Sequence, residues 1–227
     1  MFHRFLLAAV VAGAVAGFAL TGAQALRALP LIHQAEVYET AAHAALAAAS
    51  AHEEAGWQPA EGPERFAFTL LANLLAGIGF ALLLVAGYGF FGPVGWRSGV
   101  LWGLGGFAAF SLAPALGLPP ELPGTESAAL AARQLWWIAT AAVTAAGFML
   151  LAFAPRWWWK AIGVALVALP HLVGAPHPDH PAAAAPAELA ERFVTASIFA
   201  NLVFWLVLGP VSAALFARLV QPAIARG

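Results

Sequence analysis

The chain contains no cysteine, only two methionines and few charged residues. Without cysteine, disulfides, thiolate metal sites, iron–sulfur clusters and cysteine nucleophiles are excluded. A copper(I) site is not expected either, because that ion prefers cysteine and methionine sulfur. The net charge is -1 and no block of lysine or arginine occurs, so the sequence gives no indication of nucleic-acid binding.

The sequence also lacks the common motifs of catalysis and of ATP binding. It has no Walker P-loop, no HExxH or GxSxG pattern and no kinase motif. We therefore expect neither an enzyme nor a tightly bound cofactor. Any transport by such a chain would be driven by an ion gradient, the membrane potential or a partner protein.

The chain is rich in apolar residues, which form blocks of membrane-spanning length. Hydrophobic residues make up 62% of the chain and charged residues 9%, against roughly 25% charged residues in soluble domains. Six blocks predict helices that cross about 30 Å of hydrocarbon: residues 5–26, 66–91, 99–118, 134–154, 158–173 and 193–217. The sequence thus predicts an all-α, polytopic transmembrane helix bundle, with residues 1–227 as a single integral membrane domain.

Two of these blocks need comment. The fifth is the weakest, since as a helix it covers only about 24 Å. The first resembles a signal peptide, because Arg4 and an apolar run precede the sequence Ala23-Gln24-Ala25. Cleavage there would leave five spans, but the run is longer than an ordinary signal-peptide core, which favours a retained helix.

The distribution of charge predicts the orientation. If both termini are cytoplasmic, the inner segments hold six of the ten basic residues, as the positive-inside rule requires. The same orientation places all 11 acidic residues and every histidine except His3 on the outer face. We therefore predict a multi-pass protein of the bacterial inner membrane whose outer loops carry the groups capable of chemistry.

Three outer loops follow from this topology. The first, residues 31–63, is rich in alanine and is predicted to be partly helical, with Gly56 and Pro59 ending the helix. The second and third are rich in proline and should be stiff. Each helix that runs toward the outer face ends near a proline, and each helix that runs back begins with an arginine. This pattern fits a repeat of three helical hairpins. The alternative is that prolines and arginines simply collect at membrane interfaces.

Histidine and carboxylate side chains of these loops are candidate metal ligands. His33, Glu36, Thr40 and His43 are spaced i, i+3, i+7 and i+10, which places them on one stripe of the predicted helix. In the third loop, His177, Asp179 and His180 fall within four residues, and His171 stands where the fifth helix emerges. Imidazole nitrogen and carboxylate oxygen suit Co²⁺, Ni²⁺, Zn²⁺ and Mn²⁺. The alternative is that these are ordinary solvated side chains, among them His52, Glu53 and Glu54.

Few polar groups lie inside the spans, and no Asp, Glu or Lys stands near a span centre. Asn73 and Asn201 are predicted to form hydrogen bonds between helices, with a role as weak ligands along a pathway as the alternative. Hydroxyl groups occur at Thr69, Ser111, Thr140 and Thr144. The Gly-x-Gly steps at residues 77–79 and 103–105 are predicted to allow close helix packing.

Eight short runs of sequence together form a recognisable pattern: LPLI at 29–32, AEVYE at 35–39, TLLAN at 69–73, LWGLGGF at 101–107, LAPALGLPPELPG at 112–124, RQLWW at 133–137, LPHL at 169–172 and GAP at 174–176. This pattern resembles the CbtA family, described as the probable membrane subunit of a cobalt transporter. The proline-rich run is the most specific of them. Glu36, Glu39, Glu121 and His171 stand within these runs, whereas the other histidines fall outside them.

The resemblance implies cobalt uptake for cobalamin synthesis, together with a small partner of the CbtB type that has one span and a histidine-rich end. The candidate ligands are then His33, Glu36, Glu39, His43, Glu121, His171, His177, Asp179 and His180. Ni²⁺ and Zn²⁺ suit the same ligands, and a homo-oligomer is compatible with the sequence. The alternative function is a membrane scaffold that holds metal or anchors a partner without transporting anything.

Overall fold

The computed structural model describes residues 2–47, 59–60 and 62–224. These residues form α1 (Phe2–Arg27), α2 (Leu29–Ala47), α3 (Pro63–Phe91), α4 (Trp96–Phe107), α5 (Ala113–Gly117), α6 (Leu130–Phe153), α7 (Trp157–Val173), α8 (Ala187–Leu219) and α9 (Gln221–Ile224). A π-helical segment, Ala108–Leu112, joins α4 to α5. No strand occurs in the described ranges, which contain a single isolated bridge between Thr125 and Ala183.

Within the described part of the chain, five helical stretches are long and apolar enough to cross a membrane: Phe2–Arg27, Pro63–Phe91, Trp96–Gly117, Leu130–Phe153 and Ala187–Ile224. Helix α7 has 17 residues and is the shorter sixth apolar helix. The predicted polytopic helix bundle is therefore confirmed, including the weakness of its fifth span. The predicted helix of the first loop is α2, which the structure describes as far as Ala47.

The chain divides into two compact units. The first contains most of α1, α3, the beginning of α4 and the end of α8 from Phe199 onward. The second contains α2, the π-helical segment, α5, α6, α7 and the beginning of α8.

In the first unit, glycines bring helices into backbone contact. Gly77 of α3 lies against Gly13 of α1, and Gly103 of α4 lies against Trp205 and Gly209 of α8. The predicted close packing is thus observed for Gly77 and Gly103. Their partners in the Gly-x-Gly steps behave differently, since a Cβ on Gly79 or Gly105 would meet nothing within 4 Å.

Polar and aromatic side chains reinforce these contacts of the first unit. Asn73 Nδ2 of α3 donates to Thr21 Oγ1 at 3.0 Å and to Gln24 Oε1 at 2.7 Å, both on α1. This confirms the predicted hydrogen bond between helices for Asn73. Tyr88, which is buried, makes a 3.0 Å hydrogen bond with Ser212 of α8.

In the second unit, α6 packs along α7 and against the π-helical segment and α5. A Cβ added to Gly147 of α6 would lie 2.7 Å from the carbonyl oxygen of Gly163 of α7, so the two backbones are close at that level. Nearer the start of α6, the Trp136 ring lies against Gly117 of α5. A separate cluster of buried residues in this unit joins α2 to both proline-rich loops, and it positions the candidate site.

Candidate metal site

Three separate stretches of the second unit meet at one place, which we call the three-segment junction: α2, residues 118–129 and residues 174–186. Its core is a cluster of buried side chains that includes the first helical turns of α8: Ala28, Leu31, Ala35, Leu122, Ala185, Leu189, Phe193 and Ala196. Apolar positions spaced along one face of α2 thus hold the helix against the loops. The sequence predicted that these segments share one side of the membrane, and the structure brings them into contact.

Backbone hydrogen bonds fix the two loops of the three-segment junction to each other. The Glu126 amide donates to the Ala182 carbonyl at 2.8 Å, and the Ala184 amide donates to the Gly124 carbonyl at 3.0 Å. A Cβ on Gly124 would lie 3.0 Å from the Ala184 Cβ and 3.2 Å from the Glu39 Cβ. Gly124 is therefore the point where residues of all three segments come together.

Helix α2 carries the predicted stripe of His33, Glu36 and Thr40. His33 Nδ1 lies 3.2 Å from Glu36 Oε2, with the two side chains 47% and 26% exposed. Thr40 Oγ1 donates to the Glu36 carbonyl at 2.8 Å. Because both His33 and Glu36 are reachable from solvent, an ion can approach the pair without any movement of the backbone.

Other predicted ligands of the first loop are placed less fully. Glu39, also on α2, lies against Gly124 through its Cβ and Cγ atoms. His43 belongs to α2, but its side chain is outside what the structure describes. His52, Glu53 and Glu54 lie outside the described residues.

Glu121 of the proline-rich run is held by two partners. Its Oε2 atom lies 3.0 Å from Arg133 Nη2 of α6, and it accepts a hydrogen bond from Ser127. The two charged side chains are 28% and 33% exposed, so solvent screens the pair in part. Glu121 thus ties the second loop to the start of α6, a role that the sequence did not indicate.

Exchanging the two charges tests the ion pair between Glu121 and Arg133. Glu121→Arg places two guanidinium groups together and should lower the free energy of unfolding by about 1 kcal/mol, since ion pairs that are partly exposed to solvent are worth little more. The double variant Glu121→Arg with Arg133→Glu should recover most of that loss in thermal unfolding of the purified protein. Equal instability of the single and double variants would contradict the pairing.

The predicted ligands of the third loop stand at the end of α7 and on the loop that follows it. His177, Asp179 and His180 are exposed, and His171, at the end of α7, has its ring centroid 6.5 Å from that of Trp136. Among the side chains that the structure describes, which do not include that of His43, no three from His, Asp or Glu are grouped closely enough to hold a metal ion. Binding through several of the predicted ligands would therefore require side chains to change rotamer.

A groove beside the three-segment junction was not predicted from the sequence. It has a volume of about 380 Å³ and is lined by Gln34 and Tyr38 of α2 and by Glu188 and Arg192 of α8, among others. Glu188 and Arg192 are one helical turn apart, a spacing visible in the sequence. Their position opposite α2 depends on the tertiary packing of Leu31 and Leu189 and could not be predicted from the sequence.

Comparison with known proteins identifies a family. Neither the curated proteins nor the solved structures include a match to this chain. The model of one protein family, described as "Probable cobalt transporter subunit (CbtA)", matches residues 2–217. Since this range is nearly the whole chain, the protein belongs to the CbtA family.

Proposed function

We propose that this chain is the membrane subunit of a divalent-metal uptake transporter with Co²⁺ as its cargo, serving cobalamin synthesis. The observation that carries the proposal is membership of the CbtA family. The three-segment junction supports it, because the apolar cluster there brings together the backbone segments on which candidate ligands of α2 and both loops stand. The helices are apolar enough to cross a bilayer. The orientation inferred from the positions of the arginines supports an inner-membrane protein whose termini are cytoplasmic and whose three-segment junction faces outward.

Capture of the ion is proposed to begin at His33 and Glu36. Two ligand atoms about 2.1 Å from one ion and 90 to 109° apart are separated by about 3.0 to 3.4 Å. The 3.2 Å between His33 Nδ1 and Glu36 Oε2 falls in that range. Both atoms can therefore bind one divalent ion with little movement of either side chain.

The remaining predicted ligands would then complete the coordination shell. Glu39 and His43 follow on α2, and His177, Asp179 and His180 stand on the adjoining loop of the three-segment junction. Glu121 already pairs with Arg133, so it could bind the ion only by giving up that ion pair. We therefore assign Glu121 to the site as a ligand for which the ion competes with the guanidinium group. His171 is proposed to receive the ion at the end of α7.

The family description supports a partner, because it names a subunit. We propose that this partner is the small, single-span, histidine-rich protein of the CbtB type, whose imidazoles would concentrate metal near the junction. Imidazole and carboxylate ligands follow the Irving–Williams order. Ni²⁺ and Zn²⁺ should therefore compete with Co²⁺. Selectivity for Co²⁺ would come from which metal ions are available and from the partner protein.

Uptake of ⁵⁷Co by cells producing this chain, with and without the partner, tests the proposal. His33→Ala and Glu36→Gln should each lower the initial uptake rate about tenfold, equivalent to about 1.4 kcal/mol of lost binding. Gln34→Ala, an exposed polar neighbour on another face of α2, is the matched control and should leave uptake unchanged. Uptake should also fall as the pH is lowered, because metal ligation needs the neutral imidazole ring.

The second candidate function is a scaffold that binds metal without transporting it. It is favoured by the lack of Asp, Glu or Lys near the span centres, since charged groups inside membranes commonly mark ion pathways. Reconstituted vesicles separate the two functions, because a scaffold binds ⁵⁷Co on the vesicle surface and leaves the lumen empty.

A triple variant tests the assignment of the site residues. Uptake that survives Glu36→Ala, Glu121→Ala and His171→Ala together would contradict that assignment.

A further inference from the structure

The groove beside the three-segment junction takes no part in the proposed binding of metal. One of its walls is α2, with Val37 and Tyr38, and the other is the beginning of α8, with Glu188 and Arg192. Its volume of about 380 Å³ falls within the range of clefts that bind small ligands, about 300 to 1,000 Å³. The groove is therefore large enough for a small polar molecule or for the headgroup of a lipid.

The apolar core of the three-segment junction holds the two walls of the groove in place. Leu189 lines the groove and is only 7% exposed. It belongs to the same buried cluster as Leu31 and Ala35 of α2. The Leu189 amide also donates to the Pro186 carbonyl at 3.0 Å, which fixes the start of α8. The groove is thus formed before any ligand arrives, as most binding clefts are.

Two opposite charges stand in the α8 wall of the groove. Glu188 and Arg192 are four residues apart, so they lie on the same face of the helix and about 6 Å apart along its axis. An acidic residue four positions before a basic one commonly forms an ion pair with it. Among the residues that the structure describes, however, neither Glu188 nor Arg192 forms an ion pair. Both side chains are exposed, so both charges are available to a ligand.

The charged part of the α8 wall ends where the apolar span begins. Residues 187–192 contain three charged side chains, whereas residues 193–217 contain none. A helix with this distribution passes from water into hydrocarbon close to Arg192. Tyrosine is enriched at that boundary, and Tyr38 lines the opposite wall. The groove therefore lies at the level of the lipid headgroups.

We propose that this groove binds the headgroup of a zwitterionic phospholipid with a primary amine, of the phosphatidylethanolamine type. The Arg192 guanidinium group, at the edge of the apolar span, binds the phosphate, for which its planar set of donors is suited. The Glu188 carboxylate, one turn farther from the span, accepts hydrogen bonds from the ammonium group. In such a lipid the phosphate joins the glycerol and the amine forms the outer end. The charges of the groove thus follow the same order as those of the headgroup.

The same two charges distinguish this headgroup from others. A choline headgroup carries methyl groups in place of the N–H donors, so it cannot donate a hydrogen bond to Glu188. A glycerol headgroup has the phosphate but no cation, and it leaves a net negative lipid beside the glutamate. Soluble phosphoethanolamine has both charges but lacks acyl chains, which would contact Val37, 69% exposed on the α2 wall.

Native mass spectrometry of the purified full chain in detergent measures lipid binding. Dioleoyl phosphatidylethanolamine should bind at least about tenfold more tightly than the phosphatidylcholine and phosphatidylglycerol with the same acyl chains, because a hydrogen bond to a charged group is commonly worth that much. Glu188→Gln should remove the preference for the amine, and Arg192→Gln should weaken binding of all three lipids. Glu191→Gln and Arg218→Gln change exposed charges of α8 outside the groove, and as matched controls they should bind like the unaltered chain.

Three outcomes overturn the inference. Equal affinity of the unaltered chain for the three lipids would contradict recognition of the headgroup. Unchanged affinity in both Glu188→Gln and Arg192→Gln would leave the groove to a protein partner. Binding of soluble phosphoethanolamine as tight as that of the lipid would make a soluble zwitterion the occupant instead.

Thermal unfolding separates loss of binding from loss of folding. Glu188→Gln and Arg192→Gln change exposed side chains, so without added lipid both variants should melt at the temperature of the unaltered chain. Added dioleoyl phosphatidylethanolamine should raise the melting temperature of the unaltered chain and of Glu191→Gln, because a ligand that binds only the folded state stabilises it. An equal rise in Arg192→Gln would contradict the site. Neither measurement involves metal, so failure of the proposed transport function leaves this test unaffected.

Discussion

Gly77→Ala should prevent the first unit from folding and remove most of the protein from the membrane. A Cβ at this position would overlap the backbone carbonyl of Gly13 on α1, and backbone atoms cannot swing aside as a side chain can. The helices also cannot separate freely, because the hydrogen bond from Asn73 to Gln24 joins the same pair at 2.7 Å. Overpacking of this kind costs about 3 kcal/mol, a large share of the stability of an ordinary domain.

The matched control for this substitution lies two residues away. A Cβ on Gly79 meets nothing within 4 Å, so Gly79→Ala should leave folding intact and can stabilise α3 by up to about 1 kcal/mol through helix propensity. Membrane yield and thermal unfolding in detergent measure both variants. Similar yields and melting temperatures for the two variants would show that α1 and α3 are not in backbone contact.

Gly124→Val should disassemble the three-segment junction and abolish metal uptake while leaving the first unit folded. Gly124 has a φ of +74°, which a β-branched residue rarely adopts. The added atoms would also press on Ala184 and Glu39, whose Cβ atoms lie 3.0 and 3.2 Å from the site of a new Cβ. Strain of about 1 to 2 kcal/mol would therefore combine with steric separation of α2 from the loops.

Gly174→Val separates the two causes of that effect. Gly174 has a similar φ of +86°, but a Cβ there meets nothing within 4 Å. The control should thus suffer the backbone strain and keep the three-segment junction. We expect uptake of ⁵⁷Co at least about tenfold lower for Gly124→Val than for Gly174→Val, a difference of about 1.4 kcal/mol, and equal rates would contradict a role for the junction in capture.

The fold was largely predictable because the length of an apolar segment can be read from consecutive residues. A bilayer demands about 20 apolar residues for each spanning helix, and each predicted block corresponds to an observed helical stretch whose ends differ from it by no more than six residues. The shortness of α7 was visible in the same way. The α2 helix followed from its alanine content, and the spacing of His33 and Glu36 followed from the 3.6-residue period.

The arrangement of the site was less predictable because it depends on contacts between distant residues. The sequence placed Glu121 and Arg133 on the same side of the membrane but did not indicate that they pair. It identified Thr140 and Thr144 as hydroxyls in a span, whereas their complete burial becomes visible only when the neighbouring helices are placed. It also suggested that His177, Asp179 and His180 share a site with the α2 stripe, which stays a prediction.

Helix α7 also affects the lipid around it. Its 17 residues extend about 26 Å at 1.5 Å per residue, less than the roughly 30 Å of an average hydrocarbon layer. The stacked indoles of Trp158 and Trp159, with ring centroids 4.2 Å apart, are of the kind that anchor at the headgroup level. The bilayer must therefore thin beside this helix, so lipids with shorter acyl chains should fit the second unit better than longer ones.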